Sequence, residues 1–185
     1  MLYVPKLKQH PCLGHTLHLC LEEIIFPRQG KQVLLEETSA VIERCRSIAT
    51  LFKRSPSVWN AYAKVYLAET GSEPVKILRD CITRWCSSLP VIEKVIQQAE
   101  HLEIAALKLK RPARNIAAED KMLLKEVSEM LKPFQEATTI LSEAKYPPAS
   151  LIVPTVVRIH RALGKTEVKS EPGSKMNDCL FKLRE

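Results

Sequence analysis

The chain has 185 residues, 45% hydrophobic, 26% charged and 5% aromatic, and its 28 basic against 21 acidic side chains leave a formal charge of +7. That is enough apolar chain for one domain with a buried core, and too apolar for a wholly disordered polypeptide. Five glycines and few aromatics argue against a turn-rich β-sandwich and a glycine-rich nucleotide loop, which leaves a helical domain as the expectation.

Residues 1–10 are irregular, and Pro11 then stands where a first-turn proline belongs. Leu13, Leu17, Cys20, Leu21, Ile24 and Ile25 recur at helical spacing up to Phe26-Pro27. A second helix is predicted over 32–53 from Leu34, Val41, Cys45, Ile48 and Phe52, with Lys53 and Arg54 at its negative end. Ser55-Pro56 opens a third, which runs to Thr70 and stops at Gly71. Along it Trp59, Tyr62 and Tyr66 form a stripe, read as core in preference to a base-stacking platform.

Residues 72–86 show no sustained helical stripe and are expected to form a connector. Ser87 and Ser88 can cap a fourth helix, with Pro90 in its first turn and Val91, Val95, Ala99 and Leu102 on its apolar face. Lys108 to Arg114 breaks that pattern. A long helix is expected over 117–144, through Leu123, Leu124, Val127, Leu131, Phe134, Thr138 and Leu141, with a kink at Pro133. A last helix over 149–163 carries Ile152, Val156, Ile159 and Leu163 and is disturbed by Pro154. Residues 164–185 are polar and bear Pro, Gly and Ser, so a flexible, disordered tail is expected there. The expected architecture is all-α: an irregular segment 1–10, an irregular domain of about six helices over 11–163, and the tail.

No run of 18 apolar residues occurs, and Met1 to Lys8 has neither the apolar centre nor the cleavage site of a signal peptide. A soluble intracellular chain without a membrane partner is the expectation. Six scattered cysteines, Cys12, Cys20, Cys45, Cys81, Cys86 and Cys179, read as thiols on that basis.

His10, Cys12, His15, His18 and Cys20 offer thiol and imidazole ligands within one short stretch. A zinc site is one reading, but a closed site needs further ligands and no second Cys/His pair follows downstream. The other reading packs Cys12 as a small hydrophobe and lets His15 bond a neighbouring segment. It is favoured, so no metal or cofactor is assigned. Cys12 with His15 as nucleophile and base lacks any hydrolase signature. Glu22-Glu23, Glu36-Glu37 and Glu119-Asp120 are adjacent pairs whose members point in different helical directions, as solvated faces and helix starts do. The run Lys108, Lys110, Arg111 and Arg114 reads either as a phosphate or nuclear-import segment or as a solvated linker.

Four separated segments read in order add a resemblance. Cys12-Leu13-Gly14-His15 opens a CxxH run continued by Thr16-Leu17-His18-Leu19, and Cys45 to Ser55 ends in Phe52-Lys53-Arg54-Ser55. Arg79 to Ser88 contains Thr83-Arg84-Trp85-Cys86-Ser87, and Leu131-Lys132-Pro133-Phe134-Gln135-Glu136-Ala137-Thr138 is followed by Ser142 and Tyr146-Pro147. Over about residues 10–163 this series resembles the central part of hAT-superfamily DNA transposases and of the BED-zinc-finger proteins domesticated from them. His18 departs from the family pattern, which usually has Asn in that place.

The resemblance implies the all-helical insertion of an interrupted ribonuclease-H-like fold, in which three carboxylates hold two divalent metals for strand cleavage. Only eleven residues precede Cys12, and the only aspartates, Asp80, Asp120 and Asp178, do not stand in a family acid's context. The expectation is therefore a catalytically incomplete, transposase-derived chain that is not an enzyme by itself. It resembles a truncated, domesticated or decaying relic, without the family's BED finger or its dimerisation segment. By the same resemblance Trp85 matches the tryptophan that stacks on a displaced base, Arg84 its phosphate-contacting neighbour, and Lys53 and Arg54 added attraction for the DNA backbone. Trp85 filling the helical core is the competing reading. Cys12 and His15 match the CxxH motif, whose partners lie in the absent catalytic domain. The function so implied is nuclear, sequence-independent DNA binding. The alternatives are a helical module that captures a related protein or self-associates through exposed apolar faces, and a gene fragment without selected function.

Overall fold

The computed structural model describes residues 13–26, 33–74, 87–108, 117–143 and 149–182, and among them there are seven α-helices and no strand. They are α1 (Leu13–Ile24), α2 (Glu36–Arg54), α3 (Pro56–Thr70), α4 (Ser88–Lys108), α5 (Ala118–Glu143), α6 (Ile152–Leu163) after a 3-10 turn at Ala149–Leu151, and α7 (Glu171–Phe181). The irregular segment 1–10, most of the expected connector, the basic residues Lys110, Arg111 and Arg114, and Tyr146-Pro147 lie outside the described residues.

Each boundary has a local cause. Leu34 and Leu35 donate their N–H groups to the carbonyls of Glu23 and Ile24, both at 3.0 Å. That exchange closes the end of α1 and delays the start of α2 to Glu36, four residues later than its periodicity predicts. Glu36 and Glu37 then sit in the first turn and Lys53 and Arg54 in the last, matching the helix dipole at both ends. Pro56 opens α3, and Gly71 closes it in the left-handed region at φ 69°, its N–H bonded to the Leu67 carbonyl at 3.0 Å. Pro133 lies within α5 and does not end it. Pro154 falls in the first turn of α6, where no intrahelical donor is lost, and the helix expected over 149–163 is a 3-10 turn up to Leu151 and α-helical only from Ile152.

The core is built on two long helices. α5 touches α1, α2, α4, α6 and α7, while α4 touches α2 and α3 as well as α5. Leu124, Val127, Met130, Leu131 and Phe134 are fully buried along α5, as are Leu89, Ile92 and Val95 along α4. Each such side chain contributes roughly 1.5–3 kcal/mol relative to exposure, so this shared stripe is the main driving force for the fold.

The expected disordered tail is not what the structure shows. Residues 171–181 form α7, which packs on α5, α2, α6 and α1 with Met176 and Leu180 buried. The polar composition conceals an i, i+4 apolar pair and a capped start, and these dock the segment on the rest of the core. Among the described residues no helix is long and apolar enough to cross a membrane.

Candidate functional site

The basic pair of the second sequence segment sits at the α2–α3 corner. Lys53 and Arg54 are exposed in the last turn of α2. Ser55 is extended (φ −113°, ψ 102°), donates its N–H to the Leu51 carbonyl at 3.1 Å and accepts the Trp59 N–H at 3.0 Å. One residue thereby ends α2 and starts α3. Its side chain does not cap α3, because the hydroxyl pairs with that of Ser57 at 3.0 Å. The first-turn N–H groups of a helix have no intrahelical partner and carry its positive end. Two cations and two hydroxyls therefore adjoin, along the chain, a helix N-terminus at which Ser55 makes no side-chain cap, a combination suited to an anionic oxygen such as a backbone phosphate.

Cys12, Arg84 and Trp85 lie outside the described residues, so they are not brought into relation with this corner. His15 is exposed on α1, its ring 6.2 Å from that of His18. His18 Nε2 lies 3.0 Å from Glu22 Oε1 one turn on, which gives this face a local His–Glu contact. Cys20 is half-buried, and burial followed by the nearby Glu23 carboxylate pushes its thiol up, away from the reactive thiolate. Among the described residues no three His, Cys, Asp or Glu side chains group to hold a metal ion. Asp120 is held by Arg44 through two hydrogen bonds of 3.1 and 2.8 Å, tying the start of α5 to α2, and Asp178 is exposed on α7.

Of the aromatic stripe, Tyr62 lies in the core, and Trp59 and Tyr66 pack half-buried against it. Tyr62 is fully buried, edge-on to Phe52 at 5.5 Å and against Trp59 and Tyr66 at 5.4 and 5.8 Å. Its hydroxyl donates to the Gln98 side-chain carbonyl, joining α3 to α4, and burial pushes its phenol well above the usual tyrosine range. Tyr66 continues the contact to the His101 ring at 4.9 Å, and His101 Nε2 reaches Glu69 at 3.1 Å.

Two buried polar arrangements escaped sequence reasoning. Arg46 lies over the Phe26 ring at 5.1 Å and bonds Glu43 and the buried Ser88 hydroxyl, both at 2.5 Å. Glu126 on α5 accepts the N–H groups of Lys169 and Ser170 at 2.8 and 3.1 Å and also the Ser170 hydroxyl. The available signal for the second was Ser170-Glu171-Pro172, the same serine-and-proline start that announces α3. Nothing in the sequence marks Glu126 itself, since a glutamate within a helix ordinarily reads as solvated. No protein-family profile, curated protein or solved structure matches this chain.

Proposed function

We propose that this chain is a catalytically incomplete, hAT-transposase-derived helical domain that acts in the nucleus by holding nucleic-acid backbone without reading sequence. The observation that carries the binding role is the α2–α3 corner, where exposed Lys53 and Arg54 adjoin the α3 start that Ser55 leaves without a side-chain cap. The ancestry rests on the four ordered sequence segments, of which Phe52-Lys53-Arg54-Ser55 is this same corner. An all-α architecture is compatible with a helical insertion. Arg84 and Trp85 enter the proposal through the resemblance alone, as a phosphate contact and a base-stacking surface.

The test is titration of a labelled duplex bearing a displaced base beside its end, at low and moderate salt. Affinity should fall steeply with salt, and Lys53→Ala with Arg54→Ala should flatten the log–log salt slope by about 0.9 per lost phosphate contact. Trp85→Ala should reduce only the preference for the displaced base. A folded chain that fails to bind at low salt removes the proposal.

A further inference from the structure

The exposed face of α3 continues from the α2–α3 corner. Ser57, Asn60 and Lys64 are all exposed and follow one another at helical spacing, so they form one row along the helix. The row runs about 10 Å from Ser57 to Lys64, and exposed Arg54 precedes it in the last turn of α2. No acid interrupts it. The one carboxylate of α3 is Glu69, which turns to His101 of α4 at 3.1 Å. Among the described residues Arg54 and Lys64 have no carboxylate partner, whereas Arg44, Arg158 and Lys132 are held by Asp120, Glu136 and Glu93.

From this row we infer that α3 is a track for one nucleic-acid strand, taking a run of consecutive phosphates in place of a single one, with Asn60 and Lys64 as binding residues beyond the corner. The inference rests on the nucleic-acid reading and extends it. Composition selects the occupant. Phosphate oxygens are taken by arginine, lysine, serine and asparagine side chains, backbone N–H groups and helix N-termini, and the stretch from Arg54 to Lys64 offers all of these. Protein and membrane partners need apolar contact within the patch, whereas no large apolar side chain is exposed from Ser57 to Lys64. One strand of a duplex carries a phosphate about every 3.4 Å of axis, so the row matches about four consecutive phosphates. The cations Arg54 and Lys64 at its ends supply salt-dependent attraction, and Ser57 and Asn60 between them add hydrogen bonds that carry no charge.

Amide shifts of the nitrogen-15-labelled chain and salt titrations with labelled duplexes of unrelated sequence test it together. Inorganic phosphate should shift amides only at the corner, whereas a duplex of about eight base pairs should shift them along the row to Lys64. Lys64→Ala should flatten the log–log salt slope by about 0.9, so that a fourfold rise in salt costs the variant about 3.5-fold less affinity than it costs the native chain. Lys125→Ala, which removes the same charge from an exposed position on α5, should leave the slope unchanged. Asn60→Ala should lower affinity about two- to tenfold with no change of slope. A chain that binds through Lys53 and Arg54 but is indifferent to Lys64→Ala and Asn60→Ala overturns the inference and leaves the nucleic-acid reading standing. Equal flattening by Lys64→Ala and Lys125→Ala assigns the effect to net charge and also overturns it. A glutamate-rich peptide that shifts the same amides as strongly as the duplex overturns the choice of a phosphate strand, and a folded chain that binds no duplex at low salt overturns both readings.

Discussion

Ser170 is joined to Glu126, 44 residues earlier in the chain, through both its backbone N–H and its hydroxyl. The same hydroxyl oxygen accepts the Gly173 N–H at 3.0 Å, so it serves as the N-cap of α7. Glu126 is only 6% exposed, and a buried carboxylate is tolerable only when its lone pairs are engaged. The docking of α7 and the satisfaction of Glu126 are therefore one event. A helix start and a charge inside the fold stabilise each other.

Ser170→Ala removes the cap and one donor to Glu126. The expected loss of stability is about 1–2 kcal/mol, read as a lower urea midpoint. Hydrogen exchange should accelerate in α7 first. In a double-mutant cycle with Glu126→Gln the two sites should be coupled by about 0.5–3 kcal/mol. Strict additivity would show that the two side chains do not act together.

Gly173 lies so close to this junction that a β-carbon there would stand 2.1 Å from Glu126 Oε2, 2.7 Å from Ser170 Oγ and 2.8 Å from Val168 Cγ1. Alanine ordinarily favours a helix over glycine, but here Gly173→Ala should destabilise the fold by about 1–3 kcal/mol through overpacking. The penalty should shrink in a Glu126→Ala background, which removes the nearest atom. Thermal melts of the four proteins decide the matter, and a neutral or stabilising Gly173→Ala would contradict the close approach.

Tyr62→Phe deprives the Gln98 carbonyl of its donor in a buried site where the amide nitrogen of Gln98 has no partner among the described residues. At neutral pH the expected cost is about 1–2 kcal/mol. The phenol of Tyr62 is raised in the folded state by burial first and by the neighbouring Tyr66 second. A raised folded value means that its stabilising contribution is complete below the unfolded tyrosine value of about 10 and is lost as pH rises above that value. The stability gap between native chain and variant should consequently narrow above pH ~10. Denaturant unfolding at neutral and alkaline pH measures that gap, and a constant gap would place the Tyr62 hydroxyl in contact with solvent.

Most of the helical framework was legible because its signals are local. Leu17, Leu21 and Ile24 keep helical spacing whatever surrounds them, Pro56 can only begin its helix, and Gly71 supplies the left-handed stop without a β-carbon. Of the stripe Trp59, Tyr62 and Tyr66, the core position of Tyr62 was legible for the same reason. At the candidate site, Lys53 and Arg54 were legible as a basic helix end, but the pairing of the Ser55 hydroxyl with Ser57 in place of a cap was not. A serine before Pro56 reads equally well as a cap, and only the three-dimensional arrangement shows which partner its side chain takes.

The sequence by itself determined that the chain is helical, where six of its helices lie to within a few residues, and which faces of them are apolar. Tertiary structure decided the rest: that α5 contacts five other helices, that Arg46 lies over Phe26, and that residues 171–181 are a helix at all. An isolated helix of that length is marginal in water, since the cost of nucleating it exceeds what its own hydrogen bonds return. Met176 and Leu180 stabilise it only where α5 and its neighbours offer an apolar surface, and Ser170 completes its cap against a glutamate that no local pattern could have placed there.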